Sequence, residues 1–229
     1  MKIQSTKDVD NQFLNVLIYG DSGSGKTTFS GTAPKPLILS AESGLLSLNK
    51  IGAFDYVQIN QFQDLIDAYD YLAVEKHDYK TIVIDSLTEI QTQCMDAILA
   101  EAGREQAQIA DWGRLNTRMV NAVRKFRDLP FNLIIIALAE KVMAEDGFDQ
   151  QLVPLVQGKL KNLLPAFFDE VFLAYASERR DADGNVHVEH ALLTHGTKKY
   201  IAKDRSGMLS RKENPNFTDI YNKIYGGKK

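Results

Sequence analysis

The stretch GDSGSGKT, residues 20 to 27, spaces its glycines, lysine and threonine as G-x-x-x-x-G-K-T. Those residue types at that spacing suit one chemistry, the cradling of phosphate oxygens. Gly20, Gly23 and Gly25 let the backbone turn until several N–H groups face one anion, and Asp21, Ser22 and Ser24 complete the loop. Lys26 would reach the β and γ phosphates of a nucleotide, and Thr27 would offer its hydroxyl to Mg²⁺. Thr28 would reach the α phosphate. A flexible glycine–serine turn could share this composition. The context argues against that, because an apolar run, FLNVLIYG (13 to 20), precedes the motif and a helix-like stretch (26 to 33) follows it.

Two carboxylates are the next candidates. Asp85 ends TIVID (81 to 85), a run rich in β-branched residues. Ligands bind beyond the carboxyl ends of strands in open α/β sheets, so Asp85 would hold the metal through a water. Its bland alternative is a helix N-cap, since a helical pattern starts at Leu87. Hydrolysis also needs a group that orients the attacking water. Ser86, next to Asp85, is no base. Glu42 follows the apolar run PLILS (36 to 40), and in a parallel sheet that strand end can adjoin the one bearing Asp85. Glu89 is the rival, but one turn into a helix it is expected to face solvent.

The elements that must position these groups alternate. Strand signals at 13–20, 36–40, 56–59, 81–85 and 133–139 are interleaved with helical patterns at 62–76, 87–101 and 112–127. Such alternation predicts an α/β fold, a P-loop nucleotidase with a mostly parallel central sheet flanked by helices. The last third differs: 170–180 and 186–195 read as an antiparallel hairpin turned by Asp183-Gly184, and 199–203 as one more strand. Residues 140–160 lack periodicity and read as a functional loop. The chain divides into a polar lead-in (1–12), an ATPase core (13–210) and a tail (211–229) that is either a docking segment or a plain helix.

Bulk numbers exclude other classes. Over 229 residues the net charge is −3, so a uniformly basic nucleic-acid coat is ruled out, though a local basic channel is not. The single cysteine, Cys94, forbids an intrachain disulfide. Residues 133 to 139, the longest uncharged apolar run, are too few to span a membrane. No apolar signal core opens the chain, and a cytosolic setting (that of the host if the protein is phage-encoded) is the expectation. The four histidines lack zinc-motif spacing.

LILSAESGL (37 to 45), TIVIDSLTEI (81 to 90) and the terminal hairpin resemble the RecA/RadA recombinase core. DWGRLNTRMVNAVRKFRDLPFNLIIIA (111 to 137) and YIAKDRSGML (200 to 209) resemble more closely its minimal phage-encoded versions, ATP-dependent single-strand annealing proteins. The resemblance runs from Asn15 to Leu209. It implies a RecA-like fold with an antiparallel C-terminal extension, ATP and Mg²⁺ as cofactors, Glu42 as the catalytic glutamate, and a homo-oligomeric ring or filament on single-stranded DNA, with a single-strand binding protein as a further partner. In one respect the sequence departs from the family: Ala137-Leu138-Ala139 is followed by Glu140-Lys141 where recombinases carry a polar sensor, often Asn-Gln.

Lys203 and Arg205 stand two apart, which on a strand puts both on one face. The resemblance implies that such a pair reaches a neighbouring subunit's triphosphate, an effect worth roughly 10³ to 10⁵ in rate. The alternative is a solvated strand end balanced by Asp204. For DNA, the resemblance makes residues 102–111 a first loop, with Arg104 its best cation. The 140–160 stretch offers Lys141, Phe148 and Lys159, cations with an aromatic platform, opposed by Glu145, Asp146 and Asp149. Arg114, Arg118 and Lys125 read as a solvated helix face. Competing readings are an AAA-type mechanochemical ATPase acting on protein, disfavoured by Ser86 and by strands where a helical lid would stand; a small-molecule kinase; and a nucleotide-binding protein without a DNA role.

Overall fold

Leu, Ile and Val runs bounded by turn residues build the middle of a ten-stranded sheet. The computed structural model describes residues 13–42, 44–143, 149–181 and 184–226; Phe148, Glu145, Asp146 and Asp183 lie outside them. The strands are β1 (Asn15–Gly20), β2 (Pro36–Ser40), β3 (Asp55–Gln58), β4 (Thr81–Asp85), β5 (Asn132–Met143), β6 (Gln150–Pro154), β7 (Glu170–Arg180), β8 (Val186–Leu193), β9 (Lys203–Asp204) and β10 (Lys212–Glu213). The helices are α1 (Lys26–Gly31), α2 (Phe62–Val74), α3 (Leu87–Glu101), α4 (Ile109–Arg127), α5 (Leu160–Leu163) and α6 (Phe217–Tyr225). The order across the sheet is β10-β8-β7-β1-β5-β4-β2-β3. From β7 to β3 every pairing is parallel, while β8, β10, the β6 arm and β9 pair antiparallel.

Period-two alternation sends successive side chains to opposite faces, and both faces are covered. Leu17 and Tyr19 of β1 face α2, α3 and α4 through Leu65, Ile90, Met119 and Phe126. Val16 and Ile18 face α1 and α6 through Phe29, Phe217 and Ile220. Residues beyond 210 thus build on the core: β10 pairs with β8, Asn216 caps α6, and Phe217 is fully buried.

At the lower end of the sheet, buried Asn132 fixes three strands together. Its Oδ1 accepts from the Leu14 backbone N–H at 2.9 Å and its Nδ2 donates to the Lys80 carbonyl at 3.2 Å. The registers that follow are Asn15 with Leu133, Thr81 with Asn132, and Ser40 with Asp85.

Three expectations need correction. Residues 140–160 are not a loop in their described part: β5 runs on to Met143 and β6 returns along it, from Met143 opposite Gln150 to Ala139 opposite Pro154. Side chains from α3 brace this arm. The Thr88 hydroxyl donates to the Leu155 carbonyl at 3.0 Å, and the Gln91 side chain accepts from the Gln157 N–H at 2.6 Å. These braces come from distant positions, so no local pattern announced them. The strand expected at 199–203 is broken up: Tyr200 makes an isolated bridge with Leu152 of β6, the Tyr19 hydroxyl donates to the Ile201 carbonyl at 2.6 Å, and β9 covers only Lys203–Asp204. Helix α4 starts at Ile109 rather than 112, since Gln108 and Asp111 form a capping box one turn earlier.

Where β9 meets β7, Glu170 is buried beside Asp204. Burial, and then the Asp204 charge, push its carboxyl up to about 8. A carboxyl raised in this way binds its proton in the folded state across the window from the ordinary carboxylate range to about 8, so stability falls as pH rises through that window. Glu170→Gln removes the dependence. Melting temperatures measured from pH 5 to 9, a window set by the linkage relation, should fall in the wild type and stay flatter in the variant; parallel curves would show that Glu170 does not hold a proton.

Candidate active site

Three parallel strand tips converge at the upper end of the sheet. β1 ends in Gly20 and the phosphate-loop sequence, β4 ends in Asp85, and β2 leads within two residues to Glu42. Ser40 is the register partner of Asp85, and the Ala41 N–H donates to the Asp85 carbonyl at 2.7 Å, so the sheet pairing itself carries Glu42 to the metal-side acid. The tips border a cleft of about 440 Å³ lined by Ser22, Gly23, Gly25, Lys26, Thr27 and Thr28 together with Glu42, Asp85 and Ser86.

Two glycines of the loop are required sterically. A Cβ on Gly20 would lie 2.3 Å from the Ala174 carbonyl oxygen of β7. Gly25 caps α1 at φ 91°, a left-handed conformation that side chains disfavour. Asp21 is exposed and lends its carbonyl, while the buried Ser24 hydroxyl has no partner among the described residues. Lys26 is buried, and its Nζ donates to the carbonyls of Gly20 at 2.8 Å and Asp21 at 2.7 Å. Burial lowers its pKa, opposed by the charges of Asp85, Glu42 and Asp21.

The Thr27 hydroxyl donates to Asp85 Oδ2 at 2.8 Å. A hydroxyl and a carboxylate so placed form a hard oxygen donor pair, the set that suits Mg²⁺, which keeps several waters and needs few protein ligands. Asp85 is buried, and its carboxyl is pushed up to about 6 by desolvation, with Glu42 adding to the rise and Thr27 and Lys26 opposing it. Ser86 contributes what its type did not suggest. Its hydroxyl donates to Glu42 Oε1, and its oxygen also accepts from the Glu89 N–H at 3.3 Å, capping α3. The N-cap is therefore Ser86, and Asp85 faces the cleft. The peptide joining Asp85 to Ser86 is cis. Glu89 does not line the cleft.

A family model described as an AAA domain (AAA_24) matches residues 12–206. The chain belongs to this AAA domain family. Its fold is the α/β P-loop nucleotidase fold, with a mostly parallel sheet and antiparallel C-terminal strands. A prototypical ATPase from the type III secretion system of pathogenic bacteria is a solved structure similar to it, at 15% identity and a TM-score of 0.47, covering 70% of this chain and 51% of that one. The chain thus spans about half the length of that structure. No curated protein matches it.

Within this AAA domain the remaining candidates lie elsewhere. β9 pairs with Glu170 and Val171 at the start of β7, and β7 runs parallel to β1, so Lys203 and Arg205 sit at the end of the sheet away from Gly20. Lys203 Nζ donates to the carbonyls of Pro165 at 2.6 Å and Phe168 at 2.5 Å. Arg205 pairs with Asp169 at 2.8 Å. They do not join the cleft of their own chain, and delivering Lys203 to a neighbour would bare two carbonyls, about 1–3 kcal/mol each where water is excluded. Arg104, expected at DNA, pairs with buried Asp111 at 2.8 Å and secures the start of α4. Arg114 and Arg118 are engaged by Glu101 at 2.7 and 2.6 Å. Lys141 and Lys159 are exposed, on β5 and just before α5, and Lys161 pairs with Glu140, one of the two sensor candidates.

Sequence reasoning missed Ser86 as the holder of Glu42, and His190 and Pro215 on the cleft wall. The Ser86 contact spans 44 residues and the wall depends on strand order, so neither had a local signal.

Lys26→Ala should abolish measurable ATP turnover with the fold intact by circular dichroism; near-normal turnover would refute the phosphate-loop assignment. Ser86→Ala should slow turnover about tenfold, leave KM within about twofold, and cost about 1 kcal/mol of stability through the lost cap. Phosphate-release assays and thermal melts check both parts.

Proposed function

We propose that this AAA domain is a Mg²⁺-dependent ATPase in which Glu42 orients the attacking water, and that a homo-oligomer, ring or filament, couples its ATP cycle to single-stranded DNA in annealing or recombination. The reading is carried by one observation: Glu42, held by Ser86, shares one cleft with Lys26 and with the Thr27–Asp85 pair. Lys26 exchanges its two loop carbonyls for the β and γ phosphate oxygens. Thr27 and Asp85 would hold Mg²⁺, which polarises phosphate oxygens when bound. The Glu42 carboxylate accepts a hydrogen bond from water on the γ-phosphate side and aims its lone pair at phosphorus; Ser86 fixes the rotamer that makes this aim repeatable.

The DNA part is supported by the resemblance of residues 111–137 and 200–209 to annealing proteins. With Arg104, Arg114 and Arg118 engaged by acids, the contact falls to Lys141 and Lys159 around the β5–β6 arm. A second reading, which the AAA domain description leaves open, is mechanical work on a protein. Ser86 in place of a glutamate after Asp85, and the β7–β8 hairpin in the C-terminal third, weigh against it.

Glu42→Gln should keep ATP affinity by calorimetry and lower turnover about 10²- to 10⁴-fold. Oligothymidylate should raise the wild-type rate and bind more weakly as salt rises, and Lys141→Ala with Lys159→Ala should reduce that affinity. Full ATPase activity without single-strand affinity at low salt would transfer the assignment to the protein-acting reading.

A further inference from the structure

The two walls of the cleft come from opposite sides of β1. β5, β4 and β2 lie on one side and bring Asp85, Ser86 and Glu42; β7 and β8 lie on the other and bring His190. His190 pairs with Ala176 across the β7–β8 hairpin, and its ring lies over the phosphate loop, with Nδ1 3.2 Å from where a Cβ on Gly25 would stand. That nitrogen is buried and has no hydrogen-bond partner among the described residues. Among the described residues His77 Nδ1 shares this state, but it lies away from the cleft and its ring keeps a contact through Nε2 to the Leu72 carbonyl, while His187 meets Asp181 and His195 meets Thr194. A buried polar atom without a partner is uncommon in a native fold, and at a cleft wall it calls for a ligand.

Pro215 lines the same cleft. It is held from both sides. β10 pairs with β8 before it, and after it the Phe217 N–H donates to Thr32 Oγ1 at 2.7 Å while Thr218 Oγ1 donates to the Thr32 carbonyl at 2.7 Å. A proline ring there offers an apolar face with no N–H to satisfy. A polyphosphate chain with its terminal group at Lys26, Thr27 and Asp85 would leave the cleft past Thr28, which shares the cleft lining with His190 and Pro215.

We infer that the nucleoside half of the ligand lies against His190 and Pro215, the imidazole hydrogen-bonding a polar atom of the ribose or base and the proline packing on the base. This deepens the ATPase reading and rests on it. It gives the hairpin and the C-terminal segment a part in choosing a nucleotide over bare polyphosphate.

Calorimetry with Mg²⁺ and either ATP or inorganic tripolyphosphate tests it. His190→Ala should weaken ATP about five- to tenfold and leave tripolyphosphate within about twofold, the scale of one lost hydrogen bond. Pro215→Gly should act in the same direction. His190→Asn, whose amide reaches the position of Nδ1, should recover most of the ATP affinity and serves if the alanine variant folds poorly. Equal losses for the two ligands, or unchanged ATP affinity in both His190 variants, would overturn the inference. Lys26→Ala in the same assay should lose both ligands; if it binds both normally, the ATPase reading itself fails.

Discussion

Parallel pairing of β4 with β2 on one side and β5 on the other is the constraint on which the site depends. A strand tip delivers a residue to a fixed height and lateral position, and each neighbour repeats that delivery about 4.8 Å away. Asp85, Glu42 and the phosphate loop therefore meet without any long side chain having to search for them. The apolar runs supply the driving force for the pairing, and the helices on both faces keep it dry. The Ala41 N–H to Asp85 carbonyl bond extends the ladder one step past β2, which is why Glu42 emerges beside Asp85 and not above solvent.

The charges that line the cleft are mutually unfavourable in part. Desolvation pushes the Asp85 carboxyl up and the Lys26 ammonium down, each toward its neutral form. Glu42 adds to the first shift and opposes the second. A triphosphate with its metal would supply a partner for each, an anion for Lys26 and a cation for the Asp85–Glu42 side. Functional clefts often have this character, in which groups poised for a ligand are left short of partners by the protein alone. The buried, unpaired Ser24 hydroxyl and His190 ring nitrogen belong to the same pattern.

Much of the fold was legible because its signals are local. β2 and β4 coincide with their apolar runs, and α3 with its helical pattern. The phosphate loop was legible for the same reason, as were the two carboxylates once strand tips were placed. What resisted reading was set by distant partners. Lys203 read as a cation for a neighbouring subunit's triphosphate, but the carbonyls of Pro165 and Phe168, 35 or more residues away, hold its ammonium. Arg104 looked available until Asp111, turned inward as a helix cap, claimed it. The β5–β6 arm is braced by Thr88 and Gln91 of α3, more than 60 residues away from Leu155 and Gln157, which no local pattern could announce.

Asn132 gives the sheet a gauge. From its level, Thr81 to Asp85 is four strand steps, about 13 Å, and every residue along the way turns the next side chain to the other face. A deletion inside that span would leave the hydrophobic content of β4 almost unchanged and still satisfy the amide below. It would also rotate the terminal acid through the sheet, away from the nucleotide. Drift in this lineage is therefore expected to tolerate exchanges among Ile, Val and Leu in β4 far better than any change in its length.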